Sequence, residues 1–130
     1  MFNFEKLEVW QKAIVFADSI YSETRNFPRE ERFGLTNQMR RAGVPIPSNI
    51  AEGSSRTSPV DFARFIEIGT GSVFEVVFHS FIAKRQRFLS DESFLSIYRS
   101  AEELSAPRRS LFPSQMTMNC RWLSTLNSQL

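Results

Sequence analysis

Residues 26–53 read NFPREERFGLTNQMRRAGVPIPSNIAEG: a loop, a helix crossed by two prolines, and a glycine stop. Leu35, Met39, Ala42, Ile46 and Ile50 recur at the three-and-four spacing that puts side chains on one helical face. Pro45 and Pro47 oppose that helix. Each removes a backbone donor and crowds the carbonyl four residues back, on Arg41 and Gly43, and a proline inside a helix costs about 3 kcal/mol. The apolar period nevertheless passes through both prolines in phase. One kinked helix fits that pattern better than two independent ones. Pro28 suits a first turn, where its missing N–H would be unpaired anyway. Gly34 loosens the entry, and Gly53 supplies a C-terminal stop.

The chain before this stretch predicts a helix from about Glu5 to about Arg25. Leu7, Trp10, Ile14, Ala17 and Tyr21 form a bundle seam, with Val9, Ala13, Phe16 and Ile20 as a second stripe beside it. Two stripes exceed what one neighbour buries, so this helix is expected to meet at least two. Beyond the loop GSSRTSP, Ser58 is placed to cap a third helix running to about Leu89, with Pro59 at its first position and Asp61 in its first turn. Its middle, VFEVVFHSFI over Val73–Ile82, is apolar on nearly every side, and a helix apolar all round is buried all round. In a lone bundle every helix keeps an outward face. Phe74, Phe78 and Phe81 are therefore expected to face another subunit, with Gly69, Gly71 and Ser72 admitting a second backbone. A fourth helix begins near Asp91 under a Ser90 cap, its acids suiting the positive end of the dipole. Phe94, Leu95, Tyr98, Ala101 and Leu104 or Ser105 face inward until Pro107 breaks it. Residues 106–130, with Arg108, Arg109 and Arg121 and no acids, are set apart as a tail in which a helix from Gln115 to Leu126 is weakly patterned.

A chain of 130 residues is one domain with room for a real core. Its 13 phenylalanines, against two Tyr and two Trp, point to a large apolar interface besides that core. Net charge is +2, and all of the 16 basic residues except Lys6, Lys12 and Lys84 are arginine. That balance permits nucleic-acid binding without demanding it, since a dedicated monomeric binder concentrates more charge on one face. Cys120 is the only cysteine, so no internal disulfide is expected and the reducing cytoplasm is the expected compartment. The N-terminus MFNFEKLEVWQ is amphipathic and carries acids, unlike a signal peptide. No run of ~18 uncharged apolar residues is present, so no membrane span is expected.

No catalytic, cofactor or metal site is expected either. His79 is the only histidine, beside Phe78 and Phe81, and a metal needs several converging ligands. Cys120 has no histidine at motif spacing. The loop GSSRTS has one glycine and no phosphate-loop lysine. The pairs Glu30/Glu31 and Glu102/Glu103 read as solvated helix faces.

Several groups of residues together resemble a known family. They are Phe4, Leu7, Val9, Trp10 and Gln11 at the start; Phe27, Pro28, Glu31, Phe33, Gly34, Leu35, Thr36, Gln38, Arg40, Arg41 and Ala42 next; the run IPSNIAEG over Ile46–Gly53; and Gly71, Ser72 and Glu75. Over roughly residues 2–105 the chain resembles the small proteins encoded by intervening sequences in bacterial large-subunit (23S) rRNA genes. These are relatives of the accessory variability proteins of diversity-generating retroelements. The resemblance implies an all-α, antiparallel up-down four-helix bundle over residues 1–105, assembling as a ring-like homopentamer. Two departures stand out: Pro45 replaces a small polar residue, and the tail lacks the apolar pattern that completes the fourth helix.

An antiparallel turn at residues 54–58 sets Arg41 opposite about Thr70 and Gln38 opposite about Val73. Ser72 and Glu75 then lie within a helical turn of Gln38, Arg40 and Arg41, with Asn49 and Glu52 lower on the same helix. These residues form either a structural Arg–Glu network around the kink or a ligand or RNA pocket on freed carbonyls. Carbonyls attract Arg and amide donors more readily than phosphate, which favours the network. For nucleic acid the candidates are Lys84, Arg85 and Arg87 at the end of the third helix, Arg108 and Arg109 in the tail, and Arg56 and Arg64 at the other end. A solvated face explains any one group, but repetition around a ring multiplies phosphate contacts. Most aromatics lie in core stripes, so contact with the RNA backbone is expected over base stacking. The functional expectation is a non-enzymatic oligomer that binds structured RNA or a ribonucleoprotein. The alternative is a scaffold for a protein partner such as a reverse transcriptase.

Overall fold

In a computed structural model of the chain, residues 1–111 are described, with side chains through Ala106. A 3-10 turn at Asn3–Lys6 leads into α1 (Glu8–Thr24), and a second at Arg29–Glu31 leads into α2 (Leu35–Gly43) and α3 (Pro45–Ser54). They are followed by α4 (Pro59–Arg85) and α5 (Asp91–Leu111). α2 and α3 are the two arms of one bent rod, which gives a four-helix arrangement. Each rod packs on its chain neighbours, and α1 closes the square against α5. Phe16, Ile20, Met39, Ile46 and Val76 lie fully buried at its centre.

The bend sits where the prolines remove donors. Val44 keeps helical φ −61° and ψ −41° between the two arms. Its N–H reaches the Arg40 carbonyl at 3.2 Å, and the Ser48 N–H reaches the Val44 carbonyl at 3.4 Å. The ladder therefore resumes on either side of the prolines, and Leu35, Met39, Ala42, Ile46 and Ile50 are all buried as one stripe. Glu31 starts this rod. Its carboxylate accepts the Leu35 N–H at 2.9 Å, satisfying one orphan donor of the helix start.

Gly53 serves a different purpose from the expected stop. It lies inside α3 and its φ is not positive. A Cβ there would stand 2.7 Å from the Phe65 Cβ and 2.8 Å from Phe62 Cδ2. The glycine lets α3 and α4 approach, whereas at Gly69 a Cβ would meet Asn49 and the Ile46 carbonyl at 3.6 Å, an ordinary contact distance. Gly71, by contrast, faces open space. Ser58 accepts the Asp61 N–H at 3.4 Å and Ser90 accepts the Ser93 N–H at 3.1 Å, so both expected caps are in place.

Three expectations about helix faces and ends need correction. In α1 the buried residues are Ala13, Phe16, Ala17, Ile20 and Thr24, whereas Ile14 and Tyr21 of the expected seam are exposed. Both stripes are apolar, so periodicity alone does not rank them. In α5, Ile97 takes the inward position and Leu95 is exposed beside half-buried Tyr98. The same helix continues past Pro107 to Leu111. One proline removes a single i→i−4 bond and bends a helix as readily as it ends it.

α4 ends earlier than expected, at Arg85, in a Schellman turn. The Phe88 N–H returns to the Ala83 carbonyl at 2.9 Å and the Arg87 N–H to the Lys84 carbonyl at 3.0 Å. Arg87 occupies the left-handed position, φ 63°, where glycine is usual. By length and mean hydropathy, 1.3 over its best window, α4 could cross a bilayer. The expectation of no span therefore rests on Glu67 and Glu75 within that stretch and on the packing of α4 in the bundle. On the surface, Lys12 bridges Glu8 at 3.0 Å and Glu103 of α5 at 3.8 Å. The hydrogen bond that Lys12 donates to Glu8, and the Glu8 charge, raise the Lys12 ammonium above its usual value. That small contribution is present at neutral pH and fades only as pH climbs through the raised value.

Candidate nucleic-acid interface

The up-down course of the helices gathers the cations at two ends. The loop from Arg25 to Gly34 and the turn from Gln86 to Ser90 share one end, where Phe27 and Phe88 pack with ring centroids 5.9 Å apart. Arg85 and Arg87 are exposed there. Lys84 is partly withdrawn, 3.9 Å from Asp91 and 4.7 Å over the Phe94 ring. At the opposite end Arg64 is exposed, and Arg56 pairs with Glu52 at 3.2 Å and lies 5.0 Å over the Phe65 ring. The side chains of Arg108 and Arg109 lie outside the described residues. The sequence also missed Arg25, Arg29 and Arg32, which stand exposed at the Arg85–Arg87 end. Their signal was the loop itself, which up-down connectivity returns to that end.

The expected Arg–Glu network does not form. Arg40 turns toward α1 instead: its Nε–H donates to the Thr24 Oγ1 at 2.9 Å, and its guanidinium lies 4.7 Å over the Tyr21 ring. Thr24 in turn donates to the Ile20 carbonyl at 2.7 Å, so its hydroxyl is used in both directions. Arg41, Gln38 and Glu75 are exposed, and Ser72 is half-buried. Among the described residues neither arginine pairs with Glu75. A buried hydroxyl and an aromatic face let Arg40 be partly desolvated without burying a second charge, which an ion pair would require. Asn49 behaves as expected, donating from Nδ2 to the Pro45 carbonyl at 2.8 Å beside the kink. Glu52 is engaged with Arg56 rather than with the kink.

Phe74 and Phe78 are 54% and 61% exposed on a single chain, and Phe81, Ile82 and Leu95 continue the same apolar strip onto α5. Phe81 also packs edge-on against Phe94, with centroids 4.8 Å apart. A partly open cleft of about 180 Å³, lined by Val9, Ile46, Ile66, Val73 and Leu104, is almost wholly apolar. Its one hydroxyl, on Thr70, is spent on the Ile66 carbonyl at 2.8 Å. His79 is buried, and its Nδ1 has no hydrogen-bond partner among the described residues. No group of three or more His, Cys, Asp or Glu side chains among those residues could hold a metal ion.

The model of the 23S rRNA-intervening sequence protein family matches residues 5–107. The chain belongs to that family. Among solved structures it is similar to a protein of unknown function from the S23 ribosomal protein family of Bacteroides thetaiotaomicron VPI-5482. The TM-score is 0.70 at 24% identity, over 79% of this chain and 96% of that one, which is a likeness of fold. No curated protein matches the sequence. The family match covers the kinked rod and the close contact of α3 with α4 at Gly53.

Proposed function

We propose that this family member is a non-enzymatic cytoplasmic oligomer, a ring of five subunits, that binds structured RNA or a ribonucleoprotein through arginines at the ends of its bundles. The observation that carries the reading is the apolar strip on α4. Phe74, Phe78, Phe81 and Ile82 leave a contiguous aromatic face in water on a single chain, and such a face belongs against another protein surface. Closing it with further copies repeats Arg85 and Arg87 around the assembly. Affinity for phosphate backbones then grows with the number of charges neutralised. The family's name, which ties it to 23S rRNA genes, supports RNA over DNA.

The test is a gel-shift titration with matched RNA and DNA duplexes and a structured RNA, at low and moderate salt. Binding should fall steeply with salt and show little sequence preference, because phosphate contacts carry no sequence information. Reversing Arg85 and Arg87 should weaken it through every subunit, while changing Lys6 at the opposite end should matter little. No binding near ~0.1 M salt, where the Debye length is about 10 Å, would favour the second reading. In that reading the same apolar strip holds a protein partner such as a retroelement reverse transcriptase.

A further inference from the structure

We infer that the Arg25–Gly34 end of the bundle takes unpaired nucleotides of an RNA, one base stacking on Phe33 while the flanking phosphates meet Arg29, Arg32 and Arg87. This rests on the RNA-binding reading above and specifies which part of the RNA is held, and where. The first observation is Phe33. Its ring is 84% exposed, the most exposed of the phenylalanines among the described residues, and it sits on a loop rather than in the α4 strip. Arg32 lies 5.5 Å over the ring, so one face already carries a cation while the rest is open. A ring with a guanidinium against it is the arrangement on which single-strand binders stack bases, because every base has a π-face.

The second observation is the charge balance at this end. Arg25, Arg29, Arg32, Arg85 and Arg87 are exposed there and make no ion pair among the described residues. Glu23, Glu30 and Glu92 stand near them, Glu31 is spent capping Leu35, and Asp91 is engaged with Lys84. The end is thus only weakly positive. A duplex offers it little beyond phosphates, whereas an unpaired base adds stacking that does not depend on net charge. The third is Arg87. It holds a left-handed φ of 63° at a position where glycine would carry no strain, and its side chain stands exposed at the end that carries Phe33.

Fluorescence anisotropy of the full chain with a labelled single-stranded RNA and with the same sequence as a blunt duplex tests this. Phe33→Ala should weaken the single strand about tenfold or more and leave the duplex unchanged, and Phe33→Trp should restore binding. Arg87→Gly should lower the single-strand salt slope by about 0.7, while Lys6→Ala at the opposite end should not. Single-strand affinity unmoved by Phe33→Ala, or an equal loss for the duplex, would overturn the inference while leaving RNA binding in place. A change in the light-scattering mass of the RNA-free protein on Phe33→Ala would also overturn it, by assigning the ring to a subunit contact. Absence of binding to either probe would instead overturn the RNA reading itself.

Discussion

A single residue, Arg87, shows how a local conformation and a side chain can pull in opposite directions. The Schellman turn that ends α4 needs a left-handed residue, and an L side chain in that region costs roughly 1–2 kcal/mol. Arg87→Gly should therefore raise stability by about 1 kcal/mol, or about 4 °C in Tm, provided the arginine makes no compensating contact on the folded chain. Thermal unfolding followed by circular dichroism checks it, and an unchanged or lower Tm would mean that the guanidinium has a structural partner. Sequence could not have found this strain. Nothing in SFIAKRQRFLSD marks the last of its three basic residues as the turn residue, because the usual marker, glycine, is missing.

Between elements, the kinked rod is the part most fully written in the sequence, and the polar contacts around it the least. Leu35, Met39, Ala42, Ile46 and Ile50 keep step through both prolines, so the bend and its buried face could be read together. The ranking of the two stripes of α1 could not, because both are apolar and Ile14 and Tyr21, which are exposed, look as core-like as Phe16 and Ile20, which are buried. Arg40 was placed against Glu75 by charge complementarity. Its real partners, a threonine hydroxyl and a tyrosine ring on α1, carry no charge and so leave no trace in a charge pattern. The energetic consequence follows from those partners. Arg40→Ala should destabilise the bundle by about 1–2 kcal/mol through loss of the hydrogen bond and the cation–π contact. Glu75→Gln, at an exposed position, should stay within about 0.5 kcal/mol. Urea denaturation of both variants separates the two. A large effect at Glu75 with none at Arg40 would restore the network that the charge pattern suggested.

On the scale of the whole molecule, the aromatic strip of α4 decides whether the chain lives alone. Phe78 is 61% exposed on one subunit, so Phe78→Glu costs the isolated fold little, but in an assembly it buries a charge without a partner. Light scattering should show an oligomer for the unmodified chain and a folded monomer for the variant. A monomeric unmodified chain at micromolar concentration would sink the ring. Glycine 53 carries a separate consequence, for the order of events in folding. α3 and α4 are joined by the short link Ser55–Ser58, and Gly53 lets their faces meet at Phe62 and Phe65 immediately beyond it. That contact closes one of the short loops of the bundle, so its entropic barrier is low. This hairpin should be the folding nucleus, with α1 and α5 docking onto it afterwards. Gly53→Ala should then slow refolding in stopped-flow measurements, whereas Ala101→Gly in α5 should chiefly hasten unfolding.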